Sequence, residues 1–313
     1  MAHRQIGLVG CGTWGRLVLR DLMALGMDVI VADVEPGARV AALSAGAAVV
    51  DGAAALPDVD AAVVATPAMT HATVVDALLP RGIPILVEKP FTTSVVDAER
   101  LVARAGSRLF VGHTWRYHPG VELLGQIARS GELGPIAELG LRSIRANWTS
   151  PRRDVDSVWN LAPHDLTLAL EILGAIPEPR AAVAEVHDDW AVGMSALLGG
   201  APWQAFDISN RYRDKRREIR LHGRDGVAVM TDPDAGRIEL MLGDPLSSSS
   251  PAAFVEREFQ REPALTRQLR AFLLFLDGGP PPKSPAAEGL VVVKAIAHLR
   301  ALAGLSEASR HQG

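Results

Sequence analysis

The sequence predicts an α/β protein in two parts. The first is a doubly wound domain on a parallel sheet; the second is an α+β domain with a large, mostly antiparallel open sheet. Three observations carry this reading. Through residue 112, short apolar β-branched runs alternate with segments of helical period, the pattern of βαβ units. Gly10, Gly12 and Gly15 fall between the first run and the first helical segment. Beyond Gly112 the texture changes to strand-like runs joined by Gly- and Asp-containing turns. A chain of 313 residues holds about two domains at roughly 100–200 residues each. We place them at 1–117 and 118–313, with the final helices free to pack back on the first.

Strands are expected at 6–9, 29–32, 61–65, 85–87 and 109–112, with helices at 14–25, 38–45, 70–79 and 95–105. The strands are uniformly apolar, as in a parallel sheet covered on both faces. In the second part a helix over 120–130 is closed by Gly131, and a strand spans 137–145. A Pro/Arg-rich loop at 151–154 precedes a helix that starts at Pro163, with Leu166, Ala169, Leu170 and Leu173 on one stripe. Several strands occupy 181–242, and helices are expected at 265–276 and 288–302. Two loops punctuate this end: 244–251, with four consecutive serines, and 277–285, with four prolines.

Charge narrows the function. Lys+Arg number 32 against Asp+Glu 36, a net −4, so no global basic field awaits a polyphosphate. The densest basic run, 211–220, contains Asp214 and Glu218 and reads as a solvated strand or turn. No nucleic-acid partner is expected. No apolar stretch approaches the ~18 residues of a membrane span. The N-terminus meets glycines too soon for a signal peptide's apolar region, so a cytoplasmic protein is expected. A single Cys excludes an intrachain disulfide and a Cys-based zinc site. His113, His118 and His164 form no HExxH motif, and no metal is expected.

Gly10-Cys-Gly12-Thr-Trp-Gly15 fits G-x-G-x-x-G. Gly10 permits a tight turn, Gly12 lets backbone approach a pyrophosphate, and Gly15 lets helix and strand pack closely. Thr13 and Trp14 lie where the helix presents its unpaired N–H groups to phosphates. Asp33 stands 18 residues past Gly15, near the ~20 expected of the acid that holds the adenosine ribose. It favours NAD over NADP, since a carboxylate repels a 2′-phosphate; the bland alternative is a loop acid capping the next helix. Thr66, Pro67 and His71 follow a strand's end, where cofactors gather, although helix capping accounts equally for Thr66 and better for His71. Cys11 between glycines reads as packing. Glu88-Lys89-Pro90 follows the strand at 85–87 and points Lys89 toward the same crevice.

The chain resembles the Gfo/Idh/MocA oxidoreductases over nearly its whole length. The resemblance rests on GCGTWG at 10–15, ATP at 65–67, EKPF at 88–91, GHTWRYHP at 112–119, SGELG at 130–134 and WNLAPHDL at 159–166. It implies an N-terminal Rossmann dinucleotide-binding domain, a C-terminal α+β domain and an active site between them. It also implies that Lys89 is a catalytic or substrate-orienting residue, with Glu88 beside it at the cofactor. Arg116 is expected near nicotinamide or substrate, and His164 as the proton-transfer residue. Asn160 and Ala162 stand where the family usually has Asp and Gly, which removes an anionic partner from His164. Reading the residues themselves, Pro163 as first helical residue places His164 in the first turn, where the dipole disfavours an added proton. Asp165 complements the same dipole or reaches substrate. Tyr117 and Trp159 flank these motifs, as do Trp115 and Trp148, and offer sugar-stacking faces, although buried Trp is more often core.

The expected function is NAD-dependent hydride transfer at a carbinol carbon of a sugar, a nucleotide-linked sugar or a cyclic polyol. The rivals are a non-catalytic dinucleotide-binding sensor or co-repressor, and an NAD-assisted lyase or glycosidase. An antiparallel sheet with one face free of helices must be covered, so a homodimer or homotetramer through that face is expected.

Overall fold

The computed structural model describes residues 4–243 and 253–305, and the chain divides into two compact units. The first comprises residues up to 114 together with 263–293; the second comprises 115–262 and the segment from 294 onward.

In the first unit, β1 (Gln5–Val9), β2 (Asp28–Asp33), β3 (Ala48–Asp51), β4 (Ala61–Val64), β5 (Ile85–Glu88) and β6 (Leu109–Gly112) form one sheet in the order β3-β2-β1-β4-β5-β6. Every pairing is parallel. This is the Rossmann order, and the strand order reverses between β1 and β4, the position where such sheets bind ligands. The connecting helices are α1 (Thr13–Ala24), α2 (Pro36–Ser44), α3 (His71–Leu78) and α4 (Val95–Ala105). Apolar strands are buried because helices cover them: Leu8, Val31 and Val63 sit in one core with Val18 and Leu22 of α1. The sequence reading omitted β3. It is a four-residue edge strand, half-buried and paired with β2 alone; its Ala48-Val49-Val50 run is as apolar as that of β4, but it follows α2 after only three residues and ends in Asp51.

In the second unit, eight strands lie in the order β14-β13-β12-β11-β7-β10-β9-β8. They are β7 (Gly140–Trp148), β8 (Pro179–His187), β9 (Trp190–Gly199), β10 (Trp203–Ser209), β11 (Arg211–Gly223), β12 (Gly226–Met230), β13 (Arg237–Leu242) and β14 (Ala253–Glu258). All pairings are antiparallel except β7 with β10. Two helices, α5 (Pro119–Ser130) and α6 (Ser157–Ile172), cover one face: Val121, Leu124 and Leu168 pack on Leu141, Leu221 and Leu240. The opposite face leaves Val183, Leu197, Met241 and Phe254 exposed. The basic run forms the start of β11, exposed as far as Arg216. The serine loop expected at 244–251 lies outside the described residues.

One expectation is corrected. The helix carrying His164 begins at Ser157, not at Pro163. Asp156 caps it, accepting the Trp159 N–H at 3.1 Å, and Pro163 lies inside the helix. An interior Pro ordinarily breaks a helix, which is why the sequence placed a start there. His164 therefore sits about two turns after the cap, away from the positive helix end, and the dipole argument for a neutral imidazole falls away.

The chain ends with α7 (Ala264–Leu276) and α8 (Ala286–Leu302). In the first unit α7 packs on α1, its Thr266 hydroxyl donating to Asp21 at 2.7 Å while Leu269 and Phe272 enter the core. Among the described residues no helix is long and apolar enough to cross a membrane.

Candidate active site

The glycine loop follows from three steric demands. Gly10 has φ +91, and a Cβ there would lie 2.7 Å from the Thr66 nitrogen. A Cβ on Gly15 would press into the Gly10 carbonyl. Gly12 instead faces open space, with nothing within 4 Å of a Cβ, and it precedes an α1 N-terminus that no side chain caps. Gly10 and Gly15 let the loop close on itself, and Gly12 leaves an uncapped helix end open to an anion. Thr13 and Trp14 are exposed at this end, and Gly15 is buried.

Asp33 ends β2 and accepts two backbone N–H groups, from Cys11 at 2.6 Å on one oxygen and from Glu35 at 2.9 Å on the other. A carboxylate has about four lone-pair sites, so each oxygen retains capacity for a ribose hydroxyl. The same residue therefore fastens the glycine loop and offers acceptors beside it. These features fit a bound dinucleotide. Arg39 donates to the Asp33 carbonyl at 2.6 Å and to Asp51 at 2.9 Å. The Cys11 thiol is buried, and desolvation followed by the Asp33 charge pushes its pKa up. It is a packing residue.

His71 shows why a polar residue follows β4. It is 1% exposed, with Nδ1 2.7 Å from the Pro90 carbonyl and Nε2 3.0 Å from the Thr66 carbonyl. It thus ties the turn after β4 to the turn that carries Lys89. Thr66 is half-buried and Pro67 exposed; the Thr70 hydroxyl donates to Thr66 Oγ1 at 2.8 Å. Lys89 is half-buried at the carboxyl end of β5, and its peptide bond to Pro90 is cis. Glu88 is buried, and its Oε2 accepts the Lys89 N–H at 3.3 Å. Its β6 neighbour Gly112 makes room, since a Cβ there would lie 2.9 Å from Glu88 Oε1.

The second unit holds the remaining candidates. Asn160 and His164, four residues apart on α6, are both half-buried and share one helix face. Asp165 is 0% exposed; its oxygens accept from the Ser143 hydroxyl at 2.6 Å and from Arg145 Nε at 3.0 Å. Its carboxylate is thus turned inward toward β7 and holds Arg145. Gln204 donates to the Asp165 carbonyl at 2.6 Å. Trp159 is 3% exposed beneath the Arg300 guanidinium, which pairs with Asp156. Tyr117 is 5% exposed. Both aromatics are core residues here. Arg116 is buried, and its Nε donates to Glu171 Oε2 at 3.3 Å within the same unit.

Sequence reasoning passed over Arg145 and Arg217. Their signal was available, because alternation along β7 and β11 places both with the inward-facing Leu141 and Leu221, but a basic run reads as solvated by default. Among the described residues no group of three or more His, Cys, Asp or Glu side chains is arranged to hold a metal.

Comparison with known proteins agrees with this geometry. Residues 4–113 match a family described as an oxidoreductase family with an NAD-binding Rossmann fold. UDP-N-acetylglucosamine 3-dehydrogenase from Acidithiobacillus ferrooxidans is 33% identical over 238 residues, covering 73% of this chain and 74% of that protein. Inositol 2-dehydrogenase from Rhizobium meliloti is 29% identical over 267 residues, covering 77% and 79%. The solved structure of the A. ferrooxidans enzyme superposes with a TM-score of 0.82 at 25% identity, covering 96% of this chain and 98% of that chain. With a glycine loop, an acid ending β2 and an EKP turn after β5 on one sheet, and a relative matched across most of its length, the chain belongs to the Gfo/Idh/MocA family of NAD-binding oxidoreductases.

Proposed function

We propose that this enzyme transfers a hydride between nicotinamide and a carbinol carbon of a nucleotide-linked sugar. The observation that carries the reading is the position of Lys89, at the carboxyl end of β5 on the sheet whose first turn is the Gly10–Gly15 loop. The match to UDP-N-acetylglucosamine 3-dehydrogenase supports the substrate class. Cyclic polyols are the second reading, favoured by the match to inositol 2-dehydrogenase.

NAD, when bound, accepts or returns the hydride. Gly12 admits the pyrophosphate to the α1 N-terminus, and Asp33 takes the ribose hydroxyls on its remaining lone pairs. The Lys89 ammonium donates to the substrate oxygen and polarises it. His164 takes the hydroxyl proton during oxidation and returns it during reduction. Asn160, one turn earlier, orients the imidazole without adding charge. His71 acts indirectly, by fixing the turn that bears Lys89.

The free sheet face implies assembly. Cross-strand register places Val183, Leu197, Met241 and Phe254 on the face opposite α5 and α6, and we propose that a second copy covers it.

The test is NADH formation from NAD with a panel of UDP-sugars, free sugars and inositols. Net NADH from a UDP-sugar supports the reading, and net NADH from an inositol alone supports the second reading instead. Binding without turnover, or sugar turnover without net NADH, overturns it.

A further inference from the structure

Arg145 on β7 and Arg217 on β11 are direct cross-strand partners. Like charges placed opposite each other destabilise a sheet, so the pairing needs an anion. Asp165 supplies one charge and makes its ion pair with Arg145. The Arg217 side chain makes no hydrogen bond or ion pair with the described residues. Both guanidiniums stand over Trp115, with 4.4 Å from Arg145 and 6.0 Å from Arg217 to the ring centroid. The Arg145 side chain is 6% exposed, and its Nη1 is buried with no hydrogen-bond partner. Leaving a buried charged donor unsatisfied is costly. Burial, and then the charge of Arg145, hold the Arg217 pKa below its ordinary value against the pull of Asp165 and Asp234.

We infer that Arg145 and Arg217, backed by Trp115, form a binding site for an oxyanion of the substrate, a phosphoryl or carboxylate group. The planar guanidinium fork suits such groups. Asp165 directly follows His164 on α6 and holds Arg145, so the anion is gripped one residue from the proposed base. This deepens the proposed function and rests on it for the identity of the ligand: it selects an anionic sugar, nucleotide-linked where the group is phosphoryl and a uronate where it is carboxylate, over the neutral polyol.

The test uses the full chain saturated with NADH, titrated calorimetrically with UDP-N-acetylglucosamine, with glucuronate and with myo-inositol. The wild type is expected to bind one anionic probe, UDP-N-acetylglucosamine for a phosphoryl site or glucuronate for a carboxylate site, more tightly than myo-inositol. Arg217→Gln, at a half-exposed position, should weaken that probe about tenfold or more, the loss expected of a charge-assisted contact, and leave NADH affinity unchanged. Arg145→Lys should weaken it by a smaller factor, since it keeps the charge and loses the fork. If Arg217→Gln leaves both anions within about twofold of wild type, or if neither anion binds better than myo-inositol, the site is refuted. If Arg217-dependent anion binding is present but no sugar yields NADH, the anion site stands and the dehydrogenase reading falls.

Discussion

Asp33 fastens the glycine loop, and we propose that it also holds the cofactor ribose; its substitution separates the two roles. Its carboxylate accepts the Cys11 and Glu35 N–H groups and has lone pairs left for a ribose. Asp33→Ala should weaken NAD binding by about 1.5–3 kcal/mol, the range for hydrogen bonds to a charged group, and narrow the preference over NADP. Fluorescence titration with both cofactors checks this; unchanged NAD affinity would leave Asp33 as a loop fastener only. The sequence disclosed this acid through its spacing from Gly15. It did not disclose that His71 grips the Pro90 carbonyl, because 19 residues and a strand pairing separate the two.

At the scale of elements, α6 is the instructive case. Sequence reasoning located its core stripe and His164, but Pro163 hid the true start, because the Asp156 cap lies about two turns upstream. Asp156 also pairs with Arg300, both side chains 7% exposed, and no local pattern announces a partner 144 residues away. Asp156→Asn keeps an acceptor for the Trp159 N–H and removes the charge facing Arg300. It should destabilise the protein by about 3–5 kcal/mol, the cost of breaking a buried pair, with Asp156→Ala costing about 1 kcal/mol more for the lost cap. Urea midpoints of the two variants measure both quantities, and a change below about 0.5 kcal/mol in each would contradict the assignment.

The same helix predicts a pH effect. Asn160→Asp places a carboxylate one turn from His164, which favours the charged imidazole and raises its pKa. Alcohol oxidation needs the neutral ring, so the acidic limb of the rate profile should move to higher pH. A limb that stays in place would show that position 160 does not contact the base.

For the whole molecule, the parallel sheet was legible because each strand is apolar and each turn is marked by glycine or proline. The edges were less so: β3 and β14 each pair on one side only, and each is short, four and six residues, and partly exposed. The open face of the eight-stranded sheet carries Phe254 and Val183 at 59% and 73% exposure. Light scattering at micromolar concentration should return a dimer or tetramer mass, whereas a monomer would contradict assembly through this face.

The central claim is that Lys89 and His164 divide the proton work of hydride transfer. The most direct measurement compares steady-state NADH formation and NAD affinity in Lys89→Met and His164→Ala against wild type, on whichever sugar of the panel turns over. Each variant should lose about 10²–10⁴-fold in turnover, the contribution of a positioned proton-transfer group, and retain NAD affinity. Turnover within about threefold of wild type in either variant would contradict the account.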